Sequence, residues 1–204
     1  MKAKLLLASL LATSATLLTA APLSFDFKDP KGVNTAQFHL DAPLEAISGS
    51  GNGIAGTVSF DPANPAAVSG TITLDTASLN VPNDTMRSHL HGDNWLDVAT
   101  YPTITFKAKS VSAATTTGAT TKAEVTGDLT VKDVTKTVTI PVTLTYLPGK
   151  LADRTGGAMQ GDLLVLRSAF SINRSDYHIM AGQNTDTVAE QIDLTFALAG
   201  AAAR

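Results

Sequence analysis

Residues 83–106 read NDTMRSHLHGDNWLDVATYPTITF, and the rest of the chain is interpreted from this stretch. On both sides of it, apolar and polar residues alternate with a period of two, as in strands buried on one face. Within it the alternation stops, and Met86 and Leu90 stand four residues apart, on one face of a helical turn. The Asn-Asp pair that opens the stretch can cap that turn. The stretch therefore predicts one short helix, followed by the bulky Trp95, that covers one end of a structure built from strands.

The flanking sequence predicts an all-β domain. Short connections join about eight or nine alternating runs, at residues 24–27, 36–41, 54–60, 68–74, 103–109, 123–132, 137–144, 164–172 and 188–198. Residues 48–53, rich in glycine and serine, and residues 115–121, rich in threonine, are expected to be a loop and a turn. Antiparallel runs of this kind build sandwiches or up-and-down barrels. The long strands and the single helical interruption favour a barrel without a second domain.

The first 21 residues have the three parts of a secretory signal peptide. Lys2 and Lys4 supply the positive charge, residues 5–18 form an apolar core, and residues 19–21 are small residues suited to cleavage. The apolar core is shorter than the roughly 20 residues that span a bilayer. We therefore expect an exported protein, periplasmic or secreted, whose mature domain is residues 22–204 and has no membrane span after cleavage.

Charge and cysteine content restrict the partners. The formal net charge is −3, and loss of Lys2 and Lys4 with the leader lowers it by two, to −5. A mildly acidic domain is not expected to bind nucleic acid or anionic membranes, which attract basic surfaces. The chain has no cysteine, which excludes disulfides and thiolate metal ligands. We expect no cofactor and no metal.

The interior of the predicted barrel can be interpreted in two ways. A barrel of about eight strands is either filled by side chains or holds one small ligand. Several inward positions carry small residues, namely Gly56, Gly70, Ala108, Gly127 and Ser168. Such residues leave space for a tunnel, or the glycines mark bulges and tight corners of the sheet. The alternation leaves both interpretations open.

Several long motifs occur in order over most of the mature chain. They are GTVSFDPANP (56–65), MRSHL (86–90), WLDV (95–98), YPTITF (101–106), GDLTV with VTK (127–131 and 134–136) and INRSDY (172–177). Together they resemble the signature of the YceI-like family, exported bacterial barrels that bind polyisoprenoid lipids. The resemblance implies an antiparallel, eight-stranded, lipocalin-like β-barrel with one short helical segment. It also implies an isoprenoid-type lipid as the partner, held without catalysis for carriage, storage or stress response.

The sequence departs from the family pattern at two places. The family commonly has an aspartate followed by His-Ser near its first strands, where residues 28–34 read KDPKGVN. His178 stands where the family usually has glycine. A side chain at this position is expected to narrow one end of the lumen or to alter the contact with a lipid headgroup.

Two sets of residues are predicted to contact the lipid. Inward apolar residues are expected to line the lumen: Phe38, Phe60, Ile72, Leu74, Leu90, Trp95, Ile104, Phe106, Leu129, Ile140, Val142, Phe170 and Ile179. Polar residues are expected near the headgroup: Arg87, His89, Asn173, Arg174, Asp176 and His178. The bulk of the binding energy would come from the first set, because each buried methylene contributes about 0.8 kcal/mol.

The polar residues also have structural interpretations. Arg87 and Arg174 are expected to pair with acids such as Asp97 or Asp176. His89 and His91 do not share a helix face, so they are expected to orient the helical segment rather than to bind a metal.

Two other classes of function remain as alternatives. A packed barrel could act as a periplasmic stress-related scaffold or interaction protein without a ligand. An enzyme acting on an isoprenoid is less favoured, because no nucleophile elbow, phosphate loop or dinucleotide fingerprint occurs. The sequence leaves the oligomeric state open, a homodimer included.

Overall fold

The computed structural model describes residues 21–204, so residues 1–20 of the predicted signal peptide lie outside the described part. Ten strands form one antiparallel sheet. They are β1 (Leu23–Asp26), β2 (Thr35–Asp41), β3 (Ala46–Gly51), β4 (Ile54–Phe60), β5 (Ser69–Asp75), β6 (Thr103–Thr117), β7 (Thr120–Val131), β8 (Val134–Leu147), β9 (Gly161–Asn173) and β10 (Gln191–Ala203). Two helices, α1 (Asp84–His91) and α2 (Leu151–Thr155), and three 3-10 turns (Pro65–Ala67, Thr76–Ser78 and Arg174–Tyr177) complete the fold.

Eight of the ten strands close into a barrel, as the sequence predicts. The order is β1-β4-β5-β6-β7-β8-β9-β10, and the ring closes where Asp26 of β1 pairs with Ala201 of β10. Strand β2 pairs with the other half of the same edge of β10, from Asp193 to Ala197. The β2–β3 hairpin therefore extends the sheet beside the closed ring.

The structure corrects two sequence-based boundaries. Residues 48–53 were expected to be a loop, but Ala46–Gly51 form β3 and pair with β2. The Ser-Gly sequence of this strand lacks the apolar alternation that marks a strand, and the backbone ladder with β2 holds it extended. Residues 115–121 were expected to be a turn, but β6 and β7 reach Thr117 and Thr120 and leave a turn of two residues.

Three of the small inward residues, Gly56, Gly70 and Gly127, mark close approaches rather than free space. Gly56 has φ +122°, and a Cβ there would lie 2.1 Å from the carbonyl oxygen of Thr71. A Cβ on Gly127 would lie 2.6 Å from the ring of Phe106. Backbone and an aromatic ring thus fill these positions, as the bulge-and-corner interpretation expects.

One end of the barrel, called the base below, is packed with aromatic side chains. The ring of Tyr146 lies 6.2 Å from that of Phe25 and 6.2 Å from that of Phe60, measured between centroids. Phe25 and Phe60 are buried. The base is therefore closed by side chains.

Helix α1 covers the opposite end, which is called the α1 end. The Asn83 side chain caps the helix by accepting a hydrogen bond of 2.9 Å from the Met86 amide. The helix ends at His91, and Gly92 is its C-cap residue. His91 Nε2 donates a hydrogen bond of 2.7 Å to the Leu79 carbonyl oxygen. This contact anchors the helix to the segment that follows β5.

Candidate functional site

A cavity of about 370 Å³, called the upper chamber, lies at the α1 end. Side chains of α1, of the β2–β3 hairpin, of the barrel strands and of the segment after Arg174 form its wall. The lining is almost entirely apolar and includes Ala36, Phe38, Leu40, Ile47, Leu74, Leu79, Val81, Met86, Leu90, Trp95, Leu96, Ile104, Leu129, Val131, Phe170, Ile172, Ile179, Val188, Ile192, Leu194 and Phe196. Its volume falls at the lower end of the range for small-molecule sites.

A second cavity of about 100 Å³, the lower chamber, lies deeper in the barrel. Ala108 and Ser168 line it, so these two small residues do leave interior space. Three residues, Leu129, Phe170 and Phe196, belong to the lining of both chambers. Those three residues therefore form the junction between the chambers.

The structure places twelve of the thirteen predicted apolar residues in the chamber walls. Phe38, Leu74, Leu90, Trp95, Ile104 and Ile179 line the upper chamber, Ile72, Phe106, Ile140 and Val142 line the lower one, and Leu129 and Phe170 line both. Phe60 lines neither chamber, because it packs against Tyr146 at the base. Alternation correctly set its inward direction but not its depth along the strand.

The predicted polar residues separate into two groups. His89 and Arg174 belong to the lining of the upper chamber. Asn173, Asp176 and His178 are exposed, and Arg87 is half-buried outside the lining. These four residues therefore lie outside the lining of the upper chamber, and their contact with a headgroup stays a prediction.

The arginines also have other partners than the sequence suggests. Arg87 pairs with Asp84 at 2.6 Å, one turn earlier in α1. Arg174 Nε lies 3.6 Å from a carboxylate oxygen of Glu190. Asp97 and Asp176 take part in neither pair.

The guanidinium of Arg174 is fully buried and holds the segment between β9 and β10 in place. It donates to the carbonyl oxygens of Ile179 and Ala189, at 3.1 Å each, and of Val188, at 3.2 Å. Further bonds go to the carbonyl oxygens of Met180 and Gln183. Its Cζ lies 5.9 Å from the centre of the Trp95 ring, which links this segment to the residues after α1.

His178 adopts a left-handed backbone conformation with φ +56° at the end of the 3-10 turn Arg174–Tyr177. Glycine adopts this conformation without strain, which explains why it suits this position. The His178 side chain is exposed and lies outside the chamber lining. The expectation that it narrows the lumen is therefore wrong.

Clearly shifted pKa values belong to groups outside the chamber lining. Burial raises the pKa of Tyr177 to about 12, with a contribution from Asp176. Burial alone would raise the pKa of Asp162, but hydrogen bonds from the Gly149 amide, the Tyr146 hydroxyl and Arg204 outweigh it and lower the pKa. Hydrogen bonds from Ser175 lower the pKa of Glu190. These groups stabilise turns and strand ends.

The polar part of the upper chamber was missed by sequence reasoning. Gln37, Glu45, Asn184 and Thr187 line it beside His89. Glu45 and the last two lie in connections between strands, where no periodicity indicates direction. The apolar lining of β10, in contrast, carried a signal, because Ile192, Leu194 and Phe196 alternate.

Fold and chambers together define an antiparallel, lipocalin-like β-barrel with an apolar interior cavity. Residues 28–199 match the YceI-like domain, and the chain belongs to that family. A UPF0312 protein of Pseudomonas syringae pv. tomato is 35% identical over 142 residues, which are 69% of this chain and 67% of that protein.

Solved structures show the same fold. BcnA of Burkholderia cenocepacia is 27% identical, with a TM-score of 0.63 over 81% of this chain and 94% of that one. A polyisoprenoid-binding domain from Saccharophagus degradans, implicated in plant cell wall breakdown, is 13% identical with a TM-score of 0.64. That likeness covers 88% of this chain and 99% of that one. Among residues 21–204, no helix is long and apolar enough to cross a bilayer.

Proposed function

We propose that this protein binds one long apolar lipid of the polyisoprenoid or isoprenoid-quinone type inside the barrel, without chemical conversion. The observation that carries the proposal is the apolar upper chamber beneath α1, which shares Leu129, Phe170 and Phe196 with a second apolar chamber. The fold shared with the polyisoprenoid-binding domain of Saccharophagus degradans supports the class of ligand.

The energetics of burial are sufficient for tight binding. A chain that places about fifteen carbons in the chambers gains roughly 12 kcal/mol at about 0.8 kcal/mol per methylene. Association costs several kcal/mol, which leaves micromolar affinity or better. No charged contact is required for binding of this strength.

The polar lining of the upper chamber suits an uncharged headgroup. Asn184 and Thr187 offer neutral hydrogen-bonding groups, and Glu45 offers a carboxylate. Arg174, the cation in the lining, is engaged by backbone carbonyl groups and Glu190. A quinone, phenol or alcohol headgroup therefore fits this chamber better than a phosphate.

The partly empty interior counts against the packed scaffold, which requires a lumen filled by side chains. The pKa shifts count against catalysis, because the clearly shifted groups lie away from the chambers. The signal-peptide pattern of residues 1–21 supports export, so the lipid would be carried, stored or sensed in the periplasm or outside the cell.

Native mass spectrometry of protein purified without detergent tests the proposal. We expect a mass adduct that organic extraction removes and that added polyprenol or quinone restores in a one-to-one complex. Protein that remains unliganded after incubation with both lipids would contradict the proposal.

A further inference from the structure

The seam between β8 and β9 is paired over less than half of its length. The ladder runs from Leu147–Leu163 to Val142–Ser168 and stops there. Beyond this rung, β8 continues to pair with β7 and β9 continues to pair with β10. The two strands thus separate on the α1 side of Ser168.

Local chemistry explains why the ladder stops. Pro141 stands next on β8 and has no amide hydrogen to donate. Its carbonyl oxygen instead accepts a hydrogen bond of 2.7 Å from the Ser168 hydroxyl. At the other end, the 3-10 turn Arg174–Tyr177 contacts β8. The gap between these two boundaries is flanked by Ala169–Asn173 of β9 and is called the β8–β9 window. The rise of about 3.3 Å per residue makes this part of β9 about 16 Å long.

An exposed lysine indicates that the chamber wall is open here. Lys136 of β8 pairs with Leu129 of β7, so the two side chains lie on the same face of the sheet. Leu129 is buried and lines both chambers. Lys136 is exposed although it occupies a position on the chamber face. A long lysine side chain at an inward position can reach solvent where the neighbouring wall is unpaired, as it is beside this part of β8.

A groove on the outside of the barrel begins at the base-side edge of this window, where Pro141 and Ala169 line it. The groove has a volume of about 500 Å³ and is flanked by the outward residues Lys122, Glu124, Thr143, Arg167 and Thr195. Val142, Ser168 and Phe196 line both the groove and the lower chamber. The lower chamber and the groove therefore lie on opposite sides of the last paired rung, Val142–Ser168, one sheet thickness apart.

We propose that the β8–β9 window is a second opening of the lipid site, through which the distal end of a long chain leaves the lower chamber and lies in the outer groove. This inference rests on the proposed function. The lower chamber holds about 100 Å³, and Phe25, Phe60 and Tyr146 close the base beneath it. A chain too long for the chambers finds its exit at the side, so the site sets no upper limit on chain length.

Binding of prenols of increasing length tests this proposal. Farnesol, geranylgeraniol and solanesol, with three, four and nine isoprene units, are titrated into wild-type protein and into Ala169→Trp, in which an indole covers the window. Ala169 is exposed, so the change leaves the core intact. The matched control is Thr57→Trp, at an exposed position on the outer face of β4.

We expect Ala169→Trp to weaken solanesol binding about tenfold or more, the effect of withdrawing about two methylenes from an apolar contact. The farnesol affinity of Ala169→Trp should stay within about twofold of wild type. Thr57→Trp should change neither the farnesol affinity nor the solanesol affinity. If Ala169→Trp weakened farnesol and solanesol binding equally, or weakened neither, the proposal of a second opening would be overturned. A wild-type protein that binds none of the three prenols would instead overturn the proposed function itself.

Crosslinking to the wild-type protein provides a second test without any mutation. A solanesol analogue with a diazirine on its terminal isoprene unit should label groove residues such as Thr143 and Arg167. A farnesol analogue labelled in the same way should mark chamber residues. Solanesol labelling confined to the base, at Phe25 or Tyr146, would overturn the proposal.

Discussion

The rings of Phe170 and Phe196 stack with 5.8 Å between their centroids and 9° between their planes. Both residues line both chambers, and Phe196 also lines the outer groove. They lie on the neighbouring strands β9 and β10, two residues off a direct pair, because Phe170 pairs with Leu194 and Phe196 pairs with Ser168. This aromatic pair thus lies between the upper chamber, the lower chamber and the outer groove.

Removal of one ring should join the two chambers. Phe196→Ala is expected to lower the free energy of unfolding by about 3 kcal/mol, at the low end for Phe→Ala because the ring is half-buried. Phe196→Leu should lose less than half as much, since most of the volume remains. Urea unfolding of both variants checks this expectation. Equal stability of Phe196→Ala and wild type would show that the stack contributes nothing to the fold.

Arg174 should be irreplaceable by lysine. The planar guanidinium of Arg174 donates to carbonyl oxygens from all three of its nitrogen atoms. The ammonium group of lysine has one nitrogen atom and cannot reach the same set of oxygens. We expect Arg174→Lys to cost about 3–5 kcal/mol, as for a broken buried charge network. Hydrogen exchange should accelerate at residues 178–190.

The matched control is Arg87→Lys. The Arg87–Asp84 pair lies on the exposed surface of α1, so this change should cost less than about 0.5 kcal/mol. Similar losses for the two lysine variants in chemical denaturation would contradict the structural role of Arg174.

Asp162 should make the stability of the barrel depend on pH under acid conditions. Its carboxylate accepts bonds of 2.8 Å from the Tyr146 hydroxyl and the Gly149 amide and pairs with Arg204 at 2.8 Å. These contacts lower its pKa in the folded state below the ordinary value of 3.8. A lowered pKa stabilises the fold at pH values above 3.8, and this stability is lost as the pH falls through the folded-state pKa.

The variant Asp162→Asn isolates this contribution. It should be less stable than wild type at pH 7 by about 2–3 kcal/mol, because bonds to a charged group are lost. The difference from wild type should shrink as the pH falls from 3.8 through the lowered folded-state pKa, because the aspartate is protonated first in the unfolded chain and then in the folded one. Thermal unfolding measured from pH 7 to pH 2.5 checks this. A difference that stays constant over the whole range would contradict the assignment.

Ala108 should determine access to the lower chamber. It lines that chamber, and its neighbour Lys107 is exposed on the outer face of β6. Ala108→Phe should fill most of the space and weaken binding of a long prenol about tenfold, while a short prenol in the upper chamber is unaffected. Lys107→Phe places the same ring outside and should change neither affinity. Displacement titrations with solanesol and farnesol distinguish the two outcomes.

The alternation of the sequence predicted the strands and the inward direction of most lining residues, whereas the choice of a barrel over a sandwich also needed the long strands and the single helical interruption. Ile104 and Phe106 on β6, for example, fall in the two chambers, because side-chain direction in a strand follows directly from sequence parity. Parity does not give depth, so Phe60 was placed in the lumen although it packs at the base. Alternation also fails to identify a strand whose side chains are mostly small, such as β3 with its Ser-Gly sequence.

Other features depend on contacts between distant segments. Arg174 binds backbone carbonyl groups, which are the same for every residue type and leave no trace in a sequence pattern. Glu45 and Asn184 reach the chamber from connections whose path is set by tertiary packing. The β8–β9 window follows from strand register, and Pro141 was its one visible sign.

Trp95 provides the most direct test of the lipid site. It is the single tryptophan of the chain and lines the upper chamber, so the native protein carries its own fluorescent reporter. Delipidated wild-type protein titrated with a long-chain ubiquinone should show saturable quenching of this fluorescence, with one quinone per chain and a micromolar or lower dissociation constant. Quenching that rises linearly without saturation, equal to that of free tryptophan in the same solution, would contradict an internal lipid site.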